Sequence, residues 1–176
     1  KFDHRRIGAE LDLFSFHKEA PGFVFWHSKG MLLREALMKL YNKLQTSSGY
    51  QLISTPILLS EDLWHKSGHW DNYKDKMYFT KIENKIFVIK PMNCPGVSLI
   101  YKNHTHSYRD LPLRYAEAGE VHRHEPSGTL NGLFRVIRMH QDDTHIFCTM
   151  DQIEEEITGI FSLIKKIYKD TFNFEY

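Results

Sequence analysis

Cysteine is scarce in this sequence: Cys94 and Cys148 are the only two in 176 residues. That argues against a disulfide framework and fits a reducing compartment. Long apolar runs are missing as well. No stretch approaches the roughly 18 residues that cross a bilayer, and no signal peptide opens the chain, so we expect a soluble, cytoplasmic protein with no membrane partner. Charge of one sign is not in excess. The formal net charge of +1 gives no overall drive toward nucleic acid and leaves any such binding to local patches or other domains. The phosphate-cradling patterns GxxxxGK[ST] and GxGxxG are absent, so a nucleotide here would be held by neither a P-loop nor a Rossmann turn. Repeats, low-complexity tracts and internal linkers are also lacking.

What remains has the make-up of one folded domain, residues 1–176. The apolar fraction is 41% and the aromatic fraction 14%, enough for a sizeable core at this length. Eleven histidines are many for such a chain. Leu32, Leu33, Ala36, Leu37, Leu40, Tyr41 and Leu44 recur at helical spacing, which predicts an amphipathic helix from Met31 to about Thr46. YQLISTPI then reads as a strand that stops near Pro56, and Ser60 as the cap of a short helix through Leu63 and Trp64. Met77 to Thr80 and Lys85 to Ile89 flank a polar turn and predict a hairpin. Pro95 suits the first turn of a helix running to about Asn103, capped by Asn93 or Cys94. LRYAEAGEVHR, LFRVIRMH and DTHIFC follow as strands, and Thr149 with Gln152 opens a final helix with Ile153, Ile157, Ile160, Phe161, Ile164, Ile167 and Tyr168 on one face. Loops too short for parallel crossovers make an α+β domain with an antiparallel sheet and flanking helices the expected fold.

Two stretches carry chemistry. In KPMNCPG, Cys94 stands between Pro91 and Pro95. It is open to three readings: a small buried side chain, a nucleophile or a metal ligand. In VHRHEPSGTLNGLFRVIRMHQDDTH, side chains two apart on a strand share a face. Arg123 and Glu125 do so if the strand continues that far, and so do Gln141, Asp143 and His145, whereas Arg135 and Val136 point opposite ways. An arginine beside a glutamate is most often a structural ion pair. A Gly/Ser loop and a second arginine make an anion-binding face the competing reading, because guanidinium forks match phosphate. For Asp142 and Asp143 the plain reading is Asx-turn chemistry.

GHWDNYKD, KPMNCPG, SYRDLPLRYAEAGEVHRHEPSG and QDDTHIF resemble the catalytic core of the threonyl-tRNA synthetases, a class II aminoacyl-tRNA synthetase family. The similarity runs from Asp3 to the last helix. The resemblance implies an antiparallel class II sheet and a homodimer built largely through the Met31 helix and the strand ending at Pro56. It implies ATP-dependent activation of L-threonine, with Mg²⁺ accompanying ATP, and transfer to tRNA(Thr). Arg123 would contact the α-phosphate and the activated carboxyl group, Glu125 the adenine edge and Arg135 the outer phosphates. Met92, Gln141 and Asp143 would line the amino-acid pocket, and His69 would assist transfer to the terminal ribose. Cys94 and His145, with a second histidine farther along, would hold Zn²⁺. An open fourth position on such a metal separates threonine from valine, which an apolar pocket alone distinguishes by only about 10²-fold.

The chain departs from that family at three places. Met139 stands where a phenylalanine usually stacks on adenine, and Val97 where histidine is common after the CPG word. The sequence also ends before the third family motif, the third zinc ligand and the anticodon-binding domain, so these residues alone are expected to show no turnover. The competing reading is a non-catalytic synthetase-like module that binds tRNA, nucleotide or a partner protein.

Overall fold

The chain, described over residues 2–175 by a computed structural model, begins with helix α1 (His4–Glu10), capped by the Asp3 carboxylate. An antiparallel ribbon follows, β1 (Phe14–Ser15) and β2 (Phe25–Trp26). His27 joins Asp12 Oδ1 through Nδ1 at 2.6 Å and Ser15 Oγ through Nε2 at 2.9 Å, tying the ribbon to the start of the long helix α2 (Ser28–Ser47). Gly30 allows that approach, since a side-chain carbon there would collide with the Leu13 carbonyl. Gly49, at φ 82°, turns the chain into β3 (Gln51–Leu52). The strand expected over YQLISTPI is thus confined to its start, and a strand absent from the expectation, β4 (Leu58–Ser60), lies beyond Pro56.

After α3 (Glu61–Lys66) and α4 (His69–Tyr73) comes the expected hairpin, β5 (Tyr78–Ile82) and β6 (Lys85–Ile89). Glu83 and Asn84 both take positive φ at its turn (49° and 64°), the backbone that a tight two-residue hairpin needs. β4 joins β6 on its other side, giving a three-stranded antiparallel sheet. Helix α5 (Cys94–Lys102) leads on to β7 (Leu113–His122), β8 (Arg138–Phe147) and α6 (Ile153–Lys165).

β7 and β8 pair antiparallel over their whole length, but β3 lies parallel to β7. The antiparallel sheets and flanking helices are as expected, and the parallel β3 is an addition at the edge of one of them. The folded elements α3 to α5 and β4 to β6 supply the crossover that short loops could not. The two strands expected at LFRVIRMH and DTHIFC are one continuous strand, and Leu133 to Ile137 lie outside it. Within the ladder an amide meets each aspartate. Gln45 Nε2 donates to Asp142 Oδ1 at 2.8 Å, and Asn93 Nδ2 to Asp143 Oδ2 at 2.9 Å.

Two apolar clusters hold these layers together. Leu44, Tyr50, Ala116 and Leu163 join α2, β7 and α6; Trp64, Met77 and Val88 join α3 to the hairpin sheet. Trp64 is fully buried, so truncating it to alanine costs about 3–5 kcal/mol. On α6 the buried face is not the one that the apolar spacing predicts. Glu156 and Leu163 are buried while Phe161 is 65% exposed. Arg114 pairs with Glu156 through both Nε and Nη2 and turns that side of the helix inward.

Candidate active site and metal centre

Alternation along β8 puts Met139, Gln141, Asp143 and His145 on one face, in register with Val121, Gly119, Glu117 and Tyr115 of β7. The turn after β6 and the first residue of α5 cover part of this face. Donor atoms of Cys94, Asp143 and His145 lie within 4.8 Å of one another. His145 Nδ1 is buried without a protein partner among the described residues. A thiol, an imidazole and a carboxylate form the donor set that Zn²⁺ accepts, so these residues fit such an ion. The resemblance implies a place in the amino-acid pocket for Asp143; geometrically it stands with the two metal-ligand candidates.

The start of a helix by itself lowers a thiol pKa. Here the opposite direction prevails. Burial pushes the Cys94 thiol up and Asp143 adds to it, while the local backbone and Arg123 oppose them only in part. A cation in this cluster favours the thiolate and displaces its proton. Cys148 is half-buried and stands outside the cluster.

Arg123 and Glu125 lie just past the end of β7, so the sheet face that they were to share stops short of them. Arg123 is fixed from both ends. Its N–H donates to the Ile137 carbonyl at 2.8 Å, its Nε donates to the Pro91 carbonyl at 2.9 Å, and its guanidinium lies 5.9 Å from the Tyr73 ring centre. The ion pair is not Arg123 with Glu125. Arg135 donates to Glu125 Oε2 from Nε at 3.1 Å and from Nη2 at 2.8 Å, with the guanidinium half-exposed.

His69 opens α4 and its Nδ1 lies 2.8 Å from Ser67 Oγ, so its hydrogen-bond neighbour is Ser67 and not the nearby Asp71. Met92 packs on the Trp64 cluster. Met139 lines an apolar cavity of about 320 Å³ with Trp26, Leu37 and Val136. Val97 is fully buried on α5, a core position where a histidine would need a hydrogen-bond partner.

Lys90, Glu117 and Thr55 carry no role in the sequence, and Asn93 only that of a helix cap, which its side chain does not perform. Lys90 Nζ donates to Glu117 Oε1 at 3.0 Å, Thr55 Oγ1 at 2.7 Å and Thr55 O at 3.2 Å, all buried. The sequence held one signal for this: Lys90 abuts the apolar run IFVI without a break, and Glu117 sits between alanines.

A family model for the tRNA synthetase class II core domain (G, H, P, S and T) matches residues 78–176. A threonine–tRNA ligase of Clostridium botulinum is 58% identical over 176 residues, all of this chain and 28% of that protein. The chain thus spans 28% of the length of the curated relative it matches. Among solved structures, the RNA binding domain of threonyl-tRNA synthetase from Cryptosporidium parvum Iowa II superposes with a TM-score of 0.93 at 43% identity, covering 97% of this chain and 43% of that one. A threonyl-tRNA synthetase of Aeropyrum pernix gives 0.92 at 31% identity, covering 99% and 41%. With its α+β architecture, and with the family model covering more than half of its residues, the chain belongs to the class II tRNA synthetase core family.

Proposed function

We propose that the chain is the first part of the catalytic core of a cytoplasmic threonine–tRNA ligase, which activates L-threonine with ATP and passes it to tRNA(Thr). The convergence of Cys94, Asp143 and His145 carries this reading. Zn²⁺ held by Cys94 and His145, with a further histidine from outside these residues, would supply an open position that takes the amino and hydroxyl groups of threonine and finds no second ligand on valine.

The chain's own groups bind and orient. Asp143 and Gln141 line the amino-acid pocket beside Met92, where the Asp143 carboxylate accepts a hydrogen bond from the neutral amino group that the metal would hold. Arg123, held rigid by Pro91, places its guanidinium for the α-phosphate and the carboxylate, so that attack is in line without reorganisation of the charge that stabilises it. Arg135 exchanges Glu125 for the outer phosphates of Mg²⁺–ATP, which releases the Glu125 carboxylate for the adenine amino edge beside Met139. His69, with Nδ1 engaged by Ser67, keeps Nε2 to hold a proton at the terminal ribose. The exposed apolar residues of α2, Leu32 and Leu33 among them, fit a homodimer interface.

One observation favours a non-catalytic, binding-only module instead: Glu125 and Arg135 occupy each other in the free chain. Zinc titration of the longest natural polypeptide that contains this segment separates the two. The ligase reading expects one Zn²⁺, lost in Cys94→Ser and in His145→Ala. Zinc binding that depends on neither residue contradicts it.

A further inference from the structure

Asn93 has no part in the reading above, yet it lies against the candidate centre. Its side chain is fully buried in the turn before α5, and its Nδ2 donates to Asp143 Oδ2 at 2.9 Å. The Oδ1 of the same amide is buried with no partner among the described residues. A buried carbonyl without a donor costs stability and offsets what the Nδ2 bond contributes, so an apolar side chain of similar size would serve the fold about as well. What the amide adds is direction. It grips one carboxylate oxygen of Asp143, in the cluster that Asp143 shares with Cys94 and His145.

The sheet leaves room for it. A Cβ at Gly119 would collide with the Nδ2, Oδ1 and Cγ atoms of Asn93, so only glycine at that place seats the amide over β7. The backbone of the turn is pinned too. The His122 N–H donates to the Lys90 carbonyl at 3.0 Å and Arg123 Nε to the Pro91 carbonyl at 2.9 Å.

We propose that Asn93, seated by Gly119, is a positioning residue that fixes the Asp143 carboxylate beside a metal ion held by Cys94 and His145, where it meets the amino group of a bound amino acid. The proposal rests on the zinc-dependent reading given above. Partners that orient the groups of a metal site set its affinity by about 10–100-fold.

The test uses the full natural polypeptide and Zn²⁺ alone as probe, titrated against a chelator, with thermal melting beside it. Binding by the unsubstituted protein that Cys94→Ser abolishes upholds the underlying reading; no such binding removes that reading and this proposal with it. Given that binding, Asn93→Leu is expected to weaken Zn²⁺ about 10–100-fold with the melting temperature held or raised, and to raise KM for threonine more than it lowers kcat. Gly119→Ala, which pushes the amide off Asp143, is expected to weaken Zn²⁺ in the same direction with Asn93 intact, and decides the matter if Asn93→Leu does not fold. Unchanged Zn²⁺ affinity, or a loss of melting temperature with affinity intact, overturns the proposal.

Discussion

Lys90 and Glu117 meet at 3.0 Å with side chains 1% and 4% exposed, and Thr55 completes the shell around them. Desolvating two charges offsets most of what their attraction gains, so the pair contributes little net stability. Breaking it is another matter. Lys90→Met strands the Glu117 carboxylate in the core and is expected to cost about 3–5 kcal/mol in denaturant unfolding. The double substitution Lys90→Met/Glu117→Leu, which removes both charges, is expected to recover most of that loss. Equal losses from the single and double substitutions would contradict this account. At this scale the period of a strand places Gln141, Asp143 and His145 together from sequence, and the ladder keeps them so. Lys90 and Asn93 were not legible, because their partners Glu117 and Asp143 come from other strands and only the folded chain brings them near.

Helix α2 reads plainly in the sequence, but which of its residues are covered does not. Leu32 is 68% exposed, and Leu33 and Leu37 are exposed as well, although the spacing alone suggests a core-facing stripe. If that stripe is the dimer interface, Leu32→Glu with Leu33→Glu yields a monomer by light scattering with the helix content retained; a dimer that survives both substitutions contradicts it. The β7–β8 ladder carries a second expectation. The hydrogen bond from Arg138 holds Glu120 below the usual carboxylate range. Burial pushes His122 and His140 below the usual imidazole range, with Arg34 adding to the effect on His140. All three shifts are downward, so at these groups the folded chain binds fewer protons than the unfolded one, while burial of Asp142 raises its carboxyl and opposes them only in the carboxylate range. The stability they confer is present above the ordinary imidazole pKa. It is lost as pH falls through the histidine range, and further in the carboxylate range as Glu120 protonates. Melting temperatures followed from about pH 7.5 down to about pH 4 are expected to fall, less steeply in His122→Phe; a rise would contradict the assignment. The apolar face expected on α6 was misread for a related reason, since Arg114, distant in sequence, decides which side of that helix is buried.

For the whole molecule, the sheet faces divide the labour. α2 packs on the Asp142 side through Gln45, and the turn holding Asn93 and Cys94 covers the Asp143 side. The parallel β3 lies beyond any local reading, because its partner β7 follows only after two helices, a three-stranded sheet and α5. The long family words, by contrast, were legible because they are local. The proposed ligase would activate threonine and exclude valine at its metal centre. The most direct test is amino-acid-dependent ATP–pyrophosphate exchange by the longest natural polypeptide that contains these residues, with threonine, serine, valine and proline compared. Exchange with threonine, weaker exchange with serine and none with valine or proline is the expected result. A folded, zinc-loaded protein that exchanges with none of the four, or with valine as well as with threonine, would contradict it.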